Sequence, residues 1–258
     1  MSYSQALRSI ITTPSLLSSK KHLFLLSHMR ANTSLMGHLL GSHKHINGYY
    51  EMHIGYYSVK SLMRQKILFS QEHSLKKNSV YMFDKVLHNE HHISERILKH
   101  PKSHFLISIR APEFTIPSIV SLYQKLNPGH ELTNPEFAAA YYCERLDLLA
   151  DIASVKDFNY LYFDADAIKS KPTLTLQKIS QFLELTPPLS TKYEKMHNTG
   201  REKAGDSSSS LLKGEIIQTG LIPIQVPYAE SQYFKDCQST YNKVRILLDS
   251  KAQQSVLL

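Results

Sequence analysis

Residues 23–40 read Leu-Phe-Leu-Leu-Ser-His-Met-Arg-Ala-Asn-Thr-Ser-Leu-Met-Gly-His-Leu-Leu, and this stretch decides the fold. Its apolar run predicts a buried strand, followed by a tight loop that carries Arg30 and a helix that begins at Thr33 and Ser34. A helix start has unpaired backbone N–H groups and a partial positive charge, so it favours anions. Since Arg30 adds a full charge and the two hydroxyls add donors, the stretch predicts a phosphate site. The loop lacks the G-x-x-x-x-G-K-[ST] pattern of nucleotide triphosphatases, which argues against magnesium-bound ATP.

The chain repeats this order of strand, loop and helix in three units. The first covers residues 21–41, the second 104–125 and the third 160–183, with helices expected over about 113–125 and 173–183 in the last two. Short apolar strands that alternate with amphipathic helices predict an α/β fold, in which helices cover both faces of a parallel β-sheet.

Further elements are expected between and after these units. They are a mostly helical stretch over 56–77, a short strand over 79–83, a helix near 91–100, a helix from its N-cap Asn134 to about Ala153, and a last helix over about 229–248. We expect a single domain over residues 1–258, with a flexible N-terminus in residues 1–20 and a frayed tail in residues 249–258.

Composition restricts the class of protein. With 258 residues, of which 42% are hydrophobic and 20% charged, the chain has the composition of an ordinary globular domain. Its 30 basic and 22 acidic residues give a net charge of +8, which favours an anionic ligand. No run of about 20 apolar residues is present that could span a bilayer. The two cysteines have no metal-binding or disulfide spacing, so we expect a reducing, cytoplasmic location.

The segment Arg30-Ala-Asn-Thr-Ser34 resembles the 5′-phosphosulfate-binding loop of sulfotransferases, which use 3′-phosphoadenosine 5′-phosphosulfate (PAPS) as donor. In that family the loop usually reads Arg or Lys, then Ser-Gly-Thr-Thr. Arg30, Thr33 and Ser34 match this pattern, whereas Ala31 and Asn32 stand where the family has Ser-Gly. Asn tolerates a positive φ better than most residues, so it replaces glycine in a turn. The resemblance implies a three-layer α/β/α fold like that of P-loop nucleotide triphosphatases.

A second resemblance concerns the family's 3′-phosphate motif, an Arg at a strand end with a Ser eight residues later on the following helix. Arg110 and Ser118 have this spacing. The planar guanidinium offers phosphate oxygens several donors, and a serine one or two turns into the helix reaches the same group. For the adenine ring, Tyr141, Tyr142 and Tyr193 are candidates of equal rank.

Two later segments resemble the family in the expected order. Residues 160–183 are similar to its Tyr-Glu-Asp-Leu…Pro…Leu…Phe-Leu segment. Residues 201–206, Arg-Glu-Lys-Ala-Gly-Asp, are similar in placement to the late basic loop that closes over the 3′-phosphate. The resemblance thus implies that Arg201, Lys203 and Gly205 contact the donor.

Transfer of a sulfuryl group needs a base for the acceptor's proton, and two residues are candidates. Glu51 follows the first helix, where the tyrosylprotein sulfotransferases have a catalytic Glu, and Tyr49 and Tyr50 are expected to shield it from water. His88 lies where the cytosolic branch has a Lys-Thr-His stretch, with a spacing that is one residue longer here. We favour Glu51 as the base, with Lys85 as the cation near the transferring group and His88 in the acceptor pocket.

The cluster of His88, His91 and His92 raises the question of a metal. Adjacent histidines on a helix point in different directions, and no Cys or second set of carboxylates completes a site. The prediction is therefore a solvated helix face, no metal ligand and no metal cofactor.

The resemblance implies an acceptor hydroxyl or amine group on a small molecule, carbohydrate, lipid or peptide. Two other functions stay open on the sequence alone. A P-loop kinase would use Asp164, at the end of an apolar strand, as a magnesium ligand and Arg110 as a phosphate clamp. A nucleic-acid-binding protein would explain the basic charge. However, the basic residues are spread along the chain and match no known binding motif, so no nucleic-acid partner is expected.

Overall fold

A six-stranded parallel β-sheet forms the centre of the molecule, with the strand order β2–β3–β1–β4–β5–β6. The computed structural model describes residues 14–196, 199, 209–220 and 225–258. The strands are β1 (Lys21–Leu26), β2 (Ile46–Asn47), β3 (Tyr81–Val86), β4 (Ser103–Ile109), β5 (Leu161–Asp164) and β6 (Gln254–Val256). The predicted parallel α/β sheet is confirmed.

Helices cover both faces of this sheet, as expected. They are α1 (Thr33–Ser42), α2 (Val59–Glu72), α3 (Glu95–Leu98), α4 (Pro112–Leu126), α5 (Pro135–Ala153), α6 (Ala167–Ser170), α7 (Pro172–Phe182) and α8 (Gln232–Lys251). The predicted start of α1 and the N-cap of α5 are confirmed, since the Asn134 side chain accepts a hydrogen bond from the backbone of Glu136. The helix expected near 91–100 is limited to the four residues of α3. Every described helix is too short or too polar to span a bilayer.

Side chains of β1 alternate between two apolar clusters. Leu23 and Leu25 pack in the cluster that contains α1 and α7, whereas Phe24 and Leu26 pack in the cluster that contains α4, α5 and α8. Successive side chains of a strand point to opposite faces of its sheet. A strand that is covered on both faces therefore has an unbroken apolar sequence, which is the pattern that residues 23–26 show.

The two ends that were expected to be flexible need correction. In the tail of residues 249–258, α8 continues to Lys251 and β6 pairs with β5, so that Val256 lies opposite Phe163 and is 3% exposed. The expectation of fraying was wrong because a three-residue edge strand is too short to show a periodic pattern. Within the expected flexible N-terminus, residues 1–13 lie outside the described ranges, whereas Leu16 is fully buried.

The order of the strands reverses at β1. The chain passes from β1 to β2 and β3 on one side, and then crosses to β4 on the other side. In open α/β sheets, ligands bind beyond the carboxyl ends of the strands at such a switch point. The loops that follow β1 and β4 are therefore the expected positions for a binding site.

Replacing Val256 by Asp tests whether the tail is an integral part of the sheet. A carboxylate at this buried position should lower the free energy of unfolding by about 3 kcal/mol or more, because the charge has no partner in apolar surroundings. Gln253→Asp, at an exposed position just before β6, is the control and should change this free energy by less than about 0.5 kcal/mol. Urea unfolding followed by circular dichroism measures both variants. Equal effects would contradict the packing of the tail.

Candidate functional site

The loop after β1 contains two residues with left-handed backbone conformation. Arg30 has a φ of 64° and Asn32 a φ of 55°, so the predicted positive φ of Asn32 is confirmed. Such residues cluster at functional sites, where the surrounding structure maintains them. Asn32 is the N-cap of α1 but makes no capping bond, because its amide donates to the Ala165 carbonyl at 3.1 Å and to Asp166 Oδ1 at 2.7 Å. The first turn of α1 therefore lacks the acceptor that an N-cap side chain usually provides.

Two arginines from different strand ends meet at this helix start. Arg30 Nε donates to Ser118 Oγ at 2.8 Å, and Arg110 Nη1 donates to the Arg30 carbonyl oxygen at 3.2 Å. Arg30 follows β1, Arg110 follows β4 and Ser118 lies on α4. The structure thus brings three of the predicted ligand-binding residues into contact at the switch point. That they bind a phosphate stays a prediction.

Asp166, which the sequence analysis did not single out, orients Arg110. Its two carboxylate oxygens accept from Arg110 Nε at 3.0 and 2.9 Å, and its side chain is 7% exposed. The Arg110 guanidinium also lies over the Phe114 ring, 5.2 Å from the ring centroid. Because Nε is one of five N–H donors of a guanidinium, the ion pair leaves Nη donors for an anion. The only signal for Asp166 in the sequence is its place just after an apolar strand.

His28 connects the loops that follow β1 and β4. Its Nδ1 lies 2.8 Å from the Met29 carbonyl oxygen, and its Nε2 lies 2.9 Å from the backbone nitrogen of Arg110. These contacts require a neutral ring with its proton on Nδ1, so that Nε2 accepts the Arg110 N–H. Burial lowers the pKa of His28 to about 3, which agrees with a neutral ring. The bridge fixes the position of Arg110 relative to the Arg30 loop.

Arg145 of α5 joins the carboxyl ends of β1 and β3. Its guanidinium donates to the Ser27 carbonyl at 2.8 Å, to the Val86 carbonyl at 2.5 Å and to Asn89 Oδ1 at 3.2 Å. The side chain is 1% exposed, and no carboxylate among the described residues lies within ion-pair distance of it. Burial lowers the pKa of Arg145 to about 10, so it stays protonated at neutral pH. It therefore places a permanent positive charge beneath the loops of the site.

Glu51 lies in the loop between β2 and α2, close to two histidines. Its Oε1 is 3.9 Å from His88 Nε2 and 3.7 Å from His53 Nδ1. The side chain is 11% exposed, and Oε1 is buried without a hydrogen-bond partner among the described residues. A desolvated carboxylate oxygen with an open lone pair is suited to accept a proton. The structure thus places Glu51 and His88 side by side, and the role of each stays a prediction.

Asp84 anchors the loop that carries Glu51. Its Oδ1 accepts hydrogen bonds from the backbone N–H groups of Met52 and Lys85, at 2.9 and 2.8 Å, and its Oδ2 accepts from the Tyr56 hydroxyl. Burial raises the pKa of Asp84 to about 7. The sequence analysis did not identify Asp84, because nothing in its neighbourhood distinguishes it from other carboxylates that follow an apolar residue.

Lys85 and His88 lie on different sides of the end of β3. Lys85 is buried, and its aliphatic chain runs beside Gly37 of α1, where an added Cβ would lie 3.8 Å from Lys85 Cδ. His88 faces α5, and its Nδ1 is 2.7 Å from the Tyr141 hydroxyl. Burial lowers the pKa of His88. Lys85 is therefore on the side of α1, whereas His88 is on the side of Glu51.

The late basic loop falls in a gap of the described chain. Arg201, Lys203 and Gly205 all lie outside the described residues. Thr199 is described, and its hydroxyl lies 2.7 Å from His38 Nε2 on α1. The contacts of the three predicted residues stay a prediction.

A cavity of about 220 Å³ opens beside Arg110, with Phe114 and Tyr241 in its walls. None of the three tyrosines considered for the adenine lines this cavity, and Tyr142 is closed to a ligand. It is fully buried and its hydroxyl donates to the Arg110 carbonyl at 2.7 Å, so it has no face for a ligand. This corrects its candidacy and gives it a structural role, since it holds the backbone of Arg110.

Comparison with known proteins adds one finding. No protein-family model matches the chain, and no curated protein matches its sequence. Among solved structures, the chain is similar to the sulfotransferase domain from the curacin biosynthetic pathway, with a TM-score of 0.58 and 15% sequence identity. The similarity covers 87% of this chain and 98% of that domain. The chain has a sulfotransferase fold. The fold that the sequence resemblance implied is therefore confirmed. At 15% identity, the similarity is evidence for the fold alone.

The pH dependence of stability tests the His28 bridge. The pKa of His28 is about 3 in the folded chain and about 6.5 when unfolded, so between these values the unfolded state binds more protons. The contribution of His28 is complete above about pH 6.5 and is lost as the pH falls toward 3. His28→Gln should lower the free energy of unfolding at pH 7 by about 1–3 kcal/mol, through the lost hydrogen bonds.

At pH 5 this difference between wild type and His28→Gln should be smaller by about 2 kcal/mol, because only the wild type then loses stability through this group. Urea unfolding of both proteins at pH 7 and pH 5 measures the change. A difference that is the same at both pH values would contradict a buried neutral His28.

Proposed function

We propose that this chain is a sulfotransferase that transfers a sulfuryl group from PAPS to a hydroxyl or amine acceptor. The observation that carries the proposal is the hydrogen-bonded group of Arg30, Arg110 and Ser118 at the start of α1. These residues follow or face two neighbouring strands at the switch point, where a ligand with two separated anionic groups would reach both arginines. The sulfotransferase fold supports the proposal.

In this proposal the loop after β1 holds the 5′-phosphosulfate. Arg30, the hydroxyls of Thr33 and Ser34, and the backbone N–H groups from Ala31 and Asn32 onward would donate to its oxygens. Charge develops on the oxygen between phosphorus and sulfur as the sulfuryl group departs. Donors that are already in place stabilise this charge without rearrangement, and the fixed left-handed loop supports such an arrangement.

Arg110 and Ser118 would bind the 3′-phosphate, which distinguishes this donor from ATP. In this proposal the two phosphate pockets would adjoin, because Arg30 donates a hydrogen bond to Ser118. Arg201, Lys203 and Gly205 would complete the pocket from the late loop. Asp166 would keep Arg110 in position. Its negative charge would also offset the repulsion between the positive charges of Arg30 and Arg110.

Glu51 is the proposed base. As the acceptor oxygen or nitrogen forms its bond to sulfur and the bond from sulfur to the donor phosphate breaks, the acceptor proton passes to Glu51 Oε1. Its buried Oε1, which has no hydrogen-bond partner in the described part of the chain, supports this role. Lys85 would balance charge near the transferring group. Fixed positions of both reactants supply much of the remaining rate.

A magnesium-dependent kinase is the nearest alternative, and the structure disfavours its main residue. Both oxygens of Asp164 are engaged by Arg245, at 2.8 Å from Nε and 2.6 Å from Nη2, and the Asp164 side chain is 1% exposed. The Tyr162 hydroxyl adds a further hydrogen bond at 2.7 Å. A carboxylate in this pairing is a structural ion pair rather than an available magnesium ligand.

Binding of adenosine 3′,5′-bisphosphate tests the donor site. The wild type should bind this nucleotide and gain thermal stability from it, and ATP with magnesium should have a smaller effect. Arg30→Ala and Arg110→Ala should each weaken its binding by roughly 10- to 100-fold, because each removes charge-assisted hydrogen bonds to phosphate. Arg96→Ala, at an exposed position on α3, is the matched control. Unchanged affinity in both site variants, measured by calorimetry, would refute the donor assignment.

Glu51→Gln tests the base. The variant should bind adenosine 3′,5′-bisphosphate with the affinity of the wild type, while transfer from PAPS to an active acceptor should slow by about 10²- to 10⁴-fold. Turnover is measured in EDTA, where a magnesium-dependent phosphoryl transfer would stop and the proposed reaction continues. Full activity of Glu51→Gln would move the role of the base to His88.

A further inference from the structure

Three potential metal ligands, one of which is Glu51, converge near the surface. Glu51 Oε1, His53 Nδ1 and one ring nitrogen of His91 all lie within 4.8 Å of one another. His53 Nδ1 is 3.3 Å from His91 Nε2 and 3.7 Å from Glu51 Oε1. The sequence analysis considered His88, His91 and His92 and did not include His53, which comes from a different loop.

The two histidine nitrogens are within hydrogen-bond distance of each other, and their separation also fits two ligands of one ion. Ligand atoms around a tetrahedral Zn²⁺ ion, with bonds of about 2.0–2.1 Å, lie about 3.3 Å apart. The 3.7 Å between Glu51 and His53 is too long for a hydrogen bond. Glu51 Oε1 is buried and has no hydrogen-bond partner among the described residues, so a buried lone pair is directed at the histidine pair without a donor.

The loop that carries Glu51 and His53 is held by contacts to β3 and to the loop that carries His91. Met52 N–H donates to Asp84 Oδ1 at 2.9 Å, which fixes the chain between Glu51 and His53. Tyr56 forms a parallel bridge with Ile93, and its N–H donates to the His92 carbonyl at 2.8 Å. The ligands are thus arranged before any ion binds. Such an arrangement reduces the entropy that binding would otherwise cost.

His53 has the backbone conformation of a residue placed by its surroundings. Its φ of 52° is left-handed, which is unfavourable for a side chain with a Cβ. The imidazole ring of His53 is exposed, since 64% of the side chain is accessible to solvent. An ion could therefore reach the cluster from the solvent.

We infer that Glu51, His53 and His91 bind a divalent transition metal ion, with Zn²⁺ as the preferred ion. Two imidazoles and one carboxylate are a donor set that suits zinc and related ions, whereas magnesium and calcium prefer oxygen ligands. With three protein ligands, the fourth position of a tetrahedral ion is left to water or another small ligand. The site differs from the proposed phosphate-binding group of Arg30, Arg110 and Ser118, which offers arginines and a hydroxyl.

One consequence rests on the proposed function. The ion would bind Glu51 Oε1, the same oxygen that would accept the acceptor's proton, and a carboxylate bound to a cation is a much weaker base. Bound Zn²⁺ should therefore slow sulfuryl transfer by the wild type in proportion to occupancy of the site.

Metal binding itself is tested without donor or acceptor. Isothermal titration of Zn²⁺ into the full chain should show one site, and Co²⁺ should give the visible absorption of a tetrahedral complex that Zn²⁺ then displaces. His53→Ala and His91→Ala should each weaken Zn²⁺ binding by more than roughly 100-fold. Loss of a residue that only hydrogen-bonds a metal ligand costs roughly 10- to 100-fold, and loss of the ligand itself should cost more. Mg²⁺ should not compete.

His92→Ala is the matched control, because His92 is the neighbour of His91 but stacks on Tyr57, with the ring centroids 5.7 Å apart. It should bind Zn²⁺ like the wild type. Circular dichroism checks that each variant is folded, and the exposed His53 offers a variant that leaves the core intact. Equal Zn²⁺ affinity in wild type, His53→Ala and His91→Ala would overturn the proposal, as would an equal loss in His92→Ala. Zn²⁺ that binds at this site without slowing transfer would support the metal site and contradict Glu51 as the base.

Discussion

The arrangement of the site depends on the hydrogen bonds that the buried guanidinium of Arg145 donates. It donates to the Ser27 carbonyl after β1 and to the last carbonyl of β3, and so ties the central strand to its neighbour at the edge where ligands bind. Backbone carbonyls that are buried at strand ends need donors, and a buried charge needs acceptors. Here the Arg145 guanidinium supplies the donors, and the carbonyls of Ser27 and Val86 supply the acceptors. A hydrogen bond from Ser27 Oγ to the Ser108 carbonyl, at 2.7 Å, extends the same connection to β4.

This connection separates the site into two sides of different charge. On the side of β4, Arg30 and Arg110 provide positive charge, and Asp166 balances part of it while it orients Arg110. On the side of β3, the Glu51 carboxylate lies close to His53 and His88. An anion is favoured on the first side, and a group that gives up a proton, or a cation, is favoured on the second. Both proposals follow from this division of charge across one sheet edge.

Much of the fold could be read from local patterns. The unbroken apolar run of residues 23–26 indicated a strand buried on both faces, and the polar residues after it indicated a loop and a helix start. The prediction that Arg110 and Ser118 share a ligand depended on a spacing of eight residues along one strand and helix, and in the structure Ser118 accepts its hydrogen bond from Arg30. The edge strand β6 was missed, because three residues carry no periodic signal and pair only where β5 offers a partner.

Contacts between distant segments had no such signal. Cys143 and Cys237 are 94 positions apart, and their Sγ atoms lie 2.7 Å from each other where α5 packs on α8. His28, Asp84 and Asp166 were not recognised as organisers of the site, because each acts on the backbone or side chain of another loop. His53 was not considered as a metal ligand for the same reason.

The amino-acid sequence by itself determined the alternation of strands and helices, the left-handed turn at Asn32, and the types of side chain present at the strand ends. These are consequences of burial, backbone sterics and helix-end electrostatics, which act over a few residues. Only the tertiary structure decided which strand ends adjoin, which carboxylate is paired with an arginine, and which has a buried oxygen that no donor of the described residues reaches. Those properties depend on distances between segments that are far apart in the chain, and hydrogen bonds and ion pairs form only when such distances fall to a few ångströms.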